Sequence, residues 1–181
     1  WGSYAGNNDF VLVYLGAETI TGHHVFADSS NNGPYGTALV TEFIPWLEST
    51  YPLRAEPSGR LLTGHSSGGW SSLWLQVTYP DTFGGTWSTA PDPVDFRAFQ
   101  EVDVYAEDGN AYEKPDGSPT GVARKGLRQP EINLKDFCRM EEALGLGGQI
   151  RSFEFVFSPK GKTIWPKPLF DRQTGRIDPD V

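Results

Sequence analysis

The residues Gly64-His65-Ser66-Ser67-Gly68 have the form Gly-x-Ser-x-Gly. This spacing suits covalent acyl chemistry when it bridges a strand and a helix, because a cramped bend lifts the serine hydroxyl clear of the sheet. Such a bend forces unfavourable backbone angles on the serine and leaves room only for small residues two places before and after it. Centring the pattern on Ser67 would put His65 at a small-residue position, whereas centring it on Ser66 puts Gly64 and Gly68 there. Ser66 is therefore the candidate nucleophile. The backbone N–H of Ser67, at the start of the expected helix, is one donor for the oxyanion that attack creates, aided by the helix dipole.

Other residues could join this chemistry. His23 and His24 follow an expected strand, on a loop emerging at the carboxyl edge of the sheet, where open α/β folds bind ligands. They are read as substrate contacts or as a structural loop pair. A metal is disfavoured, since one of two adjacent histidines points away from the other. Asp92 and Asp95 follow a later strand and reach the same edge; either is a fallback acid, and the Pro91-Asp92-Pro93 spacing also reads as a turn with a capping carboxylate. Trp70, Trp74 and Trp87 fit core packing better than carbohydrate stacking, while Trp1 and Trp165 sit in loops that could line a cleft. Cys138 reads as a small buried hydrophobe. The turns at Asp108 and Asp116 lack the ligand spacing of a calcium loop.

The elements that must position these groups are legible in outline. Residues 10–15 (Phe-Val-Leu-Val-Tyr-Leu) form a continuous apolar run, the pattern of a strand buried on both faces of a parallel sheet. Leu39, Phe43, Trp46 and Leu47 mark an amphipathic helix that Pro45 should kink or break and Tyr51-Pro52 should end. A strand over 60–63 leads into the Gly64 motif. Trp70, Leu73, Trp74 and Val77 mark the helix after it, and residues 86–90 a further strand. Strand and helix alternate, so the expected class is α/β with a parallel sheet. Beyond Phe96 the pattern weakens into turns, with a short helix over 136–144 closed by Gly145 and a strand over 152–157 from the alternation of Phe153, Phe155 and Phe157. This half reads as a cap-like excursion.

Composition narrows the partners. The 181 residues carry a formal net charge of −8, which argues against nucleic acid and anionic membrane surfaces. A single cysteine excludes an internal disulfide framework and a multi-cysteine zinc site. No apolar stretch is long enough to cross a bilayer as a helix.

Ala27-Asp28, Glu42-Phe43-Ile44-Pro45, Gly64-His65-Ser66-Ser67-Gly68-Gly69 and Tyr79-Pro80-Asp81-Thr82-Phe83 come in an order that resembles serine esterases of the α/β-hydrolase superfamily. The resemblance is to the esterase D-like group, which includes S-formylglutathione hydrolases, enterochelin esterases and mycolyl-transferase antigens. It covers about residues 10–95. It implies an α/β-hydrolase fold and hydrolysis of small-molecule carboxylic esters or thioesters, or acyl transfer, through a Ser–His–Asp triad with neither metal nor organic cofactor. In that superfamily the chain order is serine, acid, histidine. All three histidines here, His23, His24 and His65, lie before Ser66. The expectation is therefore a partial hydrolase core over 1–95 and a cap over 96–181, with the triad histidine and acid beyond Val181 and the second oxyanion donor before Trp1. The rival reading is a catalytically inactive, hydrolase-like binding module.

Overall fold

The computed structural model describes residues 10–99, 101–124 and 131–177; Trp1 lies outside them. Two short antiparallel hairpins come first, Glu18–Thr19 (β1) with Gly22–His23 (β2) and Asp28–Ser29 (β3) with Gly33–Pro34 (β4). Tyr35–Ala38 (α1), a π-turn over Leu39–Phe43 and Ile44–Thr50 (α2) then run on as one helical segment. Pro45, the second residue of α2, neither breaks nor ends it. Proline lacks an N–H and its ring crowds the carbonyl four residues back, and the wider i→i+5 turn immediately before it takes up that misfit. Tyr51 is extended, at φ −123° and ψ 152°, as a residue preceding proline should be, and the helix stops there.

The centre of the fold is a strand–helix–strand unit. Leu61–Ser66 (β5) pairs in parallel with Gly85–Pro91 (β6), and Ser67–Thr78 (α3) crosses between them. Helix α3 covers one face of the pair, burying Trp70 and Leu75. Leu61 and Trp87 stand exposed on the other face, so Trp87, at 76% exposure, is not the core residue its spacing suggests. Arg60 ties the start of β5 to α2 through two hydrogen bonds to the Glu48 carboxylate, and donates a third to the Thr82 carbonyl.

Residues 10–15 make no ladder among the described residues, and all six side chains are exposed, from 38% at Val13 and Leu15 to 77% at Tyr14. An apolar run becomes a central strand only where strands lie on both sides of it, which the run itself cannot supply.

In the second half, Gly121–Arg124 (β7) pairs antiparallel with Glu131–Asn133 (β8). Asn133 caps Leu134–Leu144 (α4) through the Asp136 N–H, and Gly145 closes that helix at φ 95°. The strand expected over 152–157 is a helix, Gln149–Phe157 (α5). The alternation misleads because this segment is buried on nearly every side. Ser152 and Glu154, the apparent polar face, are as enclosed as Phe153 and Phe155. Each polar group is satisfied within the fold. Ser152 Oγ donates to the Gly148 carbonyl, and Glu154 accepts from Arg172 at 2.6 Å and from the Leu169 N–H at 3.0 Å. The start of α5 is capped from a distance by the buried Glu141 carboxylate, which accepts the Ile150 N–H at 3.0 Å. Arg172 also reaches the Cys138 sulfur at 3.1 Å, and burial pushes that thiol up, as expected of an inert packed cysteine.

Helix α5 is packed onto the first half as well as the second. Phe153 joins a core with Phe99, Leu134 and Phe170, while Val156 and Phe157 pack with Val25 and Trp70. Ser29 Oγ and the Asn31 amide donate to the carbonyls of Phe155 and Ser158.

Candidate active site

Ser66 is the last residue of β5 and the first outside α3, with φ 55° and ψ −123°. For a residue with a side chain this left-handed geometry costs about 1–3 kcal/mol and persists only where surrounding structure enforces it. It turns the chain sharply out of the strand, and Ser66 is exposed at the carboxyl end of β5. Ser67 opens the helix, so its backbone N–H has no acceptor within α3 and lies at the positive end of the helix dipole.

The glycines divide the work differently from the motif. A Cβ on Gly64 would lie 2.0 Å from the Gly68 carbonyl oxygen, so no side chain fits there. A Cβ on Gly68 would meet nothing within 4 Å, whereas one on Gly69 would sit 2.9 Å from the Thr89 carbonyl oxygen and 3.1 Å from Pro91 Cα. The close approach of α3 to β6 thus falls on Gly69.

The strand opposite brings a carboxylate to the serine. His65 pairs with Thr89 and Ser66 with Pro91, which leaves Ala90 as an extra residue in β6, at φ 41°. This bulge re-aims the following residues. Asp92 N donates to the Ser66 carbonyl at 3.3 Å, and its side chain folds over the elbow. Oδ1 accepts from the Ser66 hydroxyl at 3.0 Å; Oδ2 accepts from the Ser67 hydroxyl at 2.5 Å and from Gln149 Nε2 at 3.4 Å. Asp92 therefore touches the serine itself, where a triad acid would touch a histidine. Asp95 is elsewhere, accepting from the Arg97 N–H at the start of the short 3₁₀ turn Phe96–Ala98.

The three histidines are placed quite differently. His65 is exposed, and the Ser66 hydroxyl donates to Asp92 and not to it. His24 is 3% exposed, stacked on Tyr35 at 3.7 Å between ring centroids, with Nδ1 accepting from the Phe26 N–H at 3.1 Å. Burial first, then the neighbouring His23, pushes its pKa down to about 4, so it is neutral at pH 7 with its proton on Nε2. It props a strained turn in which Val25 and Phe26 both have positive φ, 44° and 54°. His23 has both ring nitrogens buried with no hydrogen-bond partner among the described residues. Burial lowers its pKa, partly countered by the Asp92 carboxylate and the Gln149 side chain nearby.

Ser66, Ser67, Asp92 and Gln149 are thus hydrogen-bonded together with His23 beside them, while Asp95, His24 and His65 stand apart. Gln149 had no signal in the sequence, because the helix that it opens runs on into a segment, 152–157, whose alternation mimics a strand. A groove of about 580 Å³ runs between residues 14–16 and the α1–α2 segment, with His24, Tyr35 and Trp46 in its wall, but Ser66, Ser67 and Asp92 do not line it.

A protein-family model described as "Putative esterase" matches residues 23–135, more than half of the chain. The chain belongs to that family. The matched region runs from His23 through the Ser66 elbow and Asp92 into α4. Membership suggests ester hydrolase activity and implies the α/β class, with which the mixed helices and strands and the parallel β5–β6 pair are compatible. No curated protein matches the chain. Among the described residues no group of three His, Cys, Asp or Glu side chains is arranged to hold a metal ion, and no helix is long and apolar enough to cross a membrane.

Proposed function

We propose that this family member is a serine hydrolase of carboxylic esters or thioesters, with Ser66 as its nucleophile. The observation that carries the reading is the backbone of Ser66, φ 55° and ψ −123°, in an exposed residue between a parallel strand and a helix N-terminus. Strain of this kind is retained where presenting a side chain repays it. Ser66 Oγ attacks the acyl carbon, the carbonyl electrons move onto oxygen, and the Ser67 N–H stabilises the oxyanion. Collapse expels the alcohol or thiol and leaves an acyl-serine, which water hydrolyses to the free acid.

In this reading the proton is taken by a histidine, oriented by an acid, that the 181 residues do not supply. Asp92 holds the Ser66 hydroxyl in place until that base acts. The core over 1–95 belongs to an α/β-hydrolase sheet, and the residues from 96 onward form a cap that shapes the acyl or alcohol pocket. Because Asp92 occupies both serine hydroxyls and no described histidine touches Ser66, an inactive hydrolase-like binding module is the second reading.

A fluorophosphonate probe on the full-length protein separates the two. The hydrolase reading expects one adduct, at Ser66, absent in Ser66→Ala. A folded protein that takes no adduct at Ser66 favours the binding module.

A further inference from the structure

Helix α5 presents Gln149, Ser152 and Phe153 at i, i+3 and i+4, which puts them on one face. That face lies against β2. A Cβ on Gly22 would fall 1.7 Å from Ser152 Oγ, so only glycine lets the strand come this close. The His23 N–H points at Ser152 Oγ, 3.4 Å away, and the Phe153 ring meets the His23 ring edge-on at 5.6 Å between centroids. The imidazole is thereby pinned by its backbone and one ring face. Its two buried nitrogens nevertheless have no hydrogen-bond partner among the described residues, a situation that native structures rarely leave without a reason. Next along the same helix face, Gln149 sends its amide to Asp92 Oδ2 at 3.4 Å, and the other oxygen of that carboxylate accepts a hydrogen bond from the Ser66 hydroxyl at 3.0 Å.

We propose that Gln149 is a positioning residue that holds the Asp92 carboxylate from behind and, through it, fixes the orientation of the Ser66 hydroxyl. The proposal rests on Ser66 being the nucleophile and adds which residue outside the elbow sets its reactivity. A carboxylate that accepts only from two serine hydroxyls can swing about its χ angles. A third donor, the Gln149 amide on Oδ2, restricts that swing. The site is in this way assembled from three distant stretches of chain: the β5–α3 bend, the residue that follows β6 and the start of α5. Ser66 then keeps its hydrogen bond to Asp92 during the approach of substrate, and the rate of attack depends on a residue that touches neither substrate nor serine.

The test is the second-order rate of fluorophosphonate labelling of Ser66 in the full-length protein, with thermal melting measured alongside. Gln149→Ala is combined with Asp92→Ala to close a double-mutant cycle. Gln149 is half-buried at the first turn of α5, so its truncation should leave the fold intact. Losing one such hydrogen-bonding neighbour should slow labelling about two- to tenfold where Asp92 is present and leave it unchanged, within about 1.5-fold, where Asp92 is already alanine. Gln149→Glu, which removes the donor and adds a like charge, should slow labelling at least as much as Gln149→Ala. Equal losses in both backgrounds would mean that Gln149 acts directly on the probe or on the fold, and would overturn the proposal, as would no loss in either. If the unsubstituted protein takes no label, the assignment of Ser66 as nucleophile fails, and the positioning role with it; labelling indifferent to Gln149 overturns the positioning role alone.

Discussion

Three glycines within six residues should respond to the same substitution in three ways. In Gly64→Ala the new methyl would sit 2.0 Å from the Gly68 carbonyl oxygen and 2.2 Å from its carbonyl carbon. Both are backbone atoms held by the turn, so the elbow itself must open. Overpacking of this kind costs about 3 kcal/mol, the upper end of its usual range. For a chain of this length that lowers the melting temperature by about 6–12 °C. Gly69→Ala meets the Thr89 carbonyl oxygen at 2.9 Å and Pro91 Cα at 3.1 Å, contacts that a small separation of α3 from β6 relieves. Its expected cost is about 1 kcal/mol. Gly68→Ala meets nothing within 4 Å and replaces a glycine in the first helical turn, so it should stabilise by about 0.5 kcal/mol. Urea or thermal unfolding reads the stability, and fluorophosphonate labelling reads the site. Labelling should collapse in Gly64→Ala, weaken in Gly69→Ala and persist in Gly68→Ala. Should Gly68→Ala prove as damaging as Gly64→Ala, the division of roles among these glycines is wrong. If Gly64→Ala folds and labels normally, the cramped bend is not what presents Ser66.

Two further outcomes are expected. Ser66 is the N-cap of α3, where glycine ordinarily exceeds alanine by about 1 kcal/mol; the strain at φ 55° should widen that gap to about 2 kcal/mol between Ser66→Gly and Ser66→Ala in denaturant unfolding, and a gap no wider than the ordinary one would mean the strain is absent. His24 has its pKa pushed down to about 4 in the fold against about 6.5 in the unfolded chain, so the unfolded state binds more protons between those values. Stability should therefore fall as pH drops from about 6.5 towards 4, by up to about 3 kcal/mol from this group alone. His24→Gln, which cannot titrate, should show a shallower acid limb in pH-dependent melting, and parallel curves for the two proteins would refute the assignment.

What the sequence could reveal depended on how local each requirement was. The Ser66 elbow is set within a dozen residues by a strand run, a small residue before the bend and a helical period after it, and all three are visible in the chain. Asp92 was visible only as one of two carboxylates. Its contact with Ser66 follows from the bulge at Ala90, for which Pro91 is the only mark in the chain. Gln149 was invisible. It depends on α5, whose polar residues are buried by partners as distant as Arg172 and Gly22, so that its alternation reads as a half-exposed strand. The apolar run over 10–15 shows the opposite failure, since the composition of an interior strand does not bring neighbours with it.

The surplus residue in β6 has a consequence that reaches past this chain. A bulge sets two residues against one on the partner strand and bends the bulged strand, so it re-aims the side chains that follow. Removing Ala90 would leave Pro91 opposite Ser66 but take out the kink that re-aims the chain after it, drawing the Asp92 carboxylate away from the serine. A change of length by one, with no change in the surrounding letters, is therefore enough to grant or withdraw an acidic companion for Ser66. Sequence comparisons around such sites should count spacing between the end of α3 and the Pro-Asp-Pro turn before they compare identities.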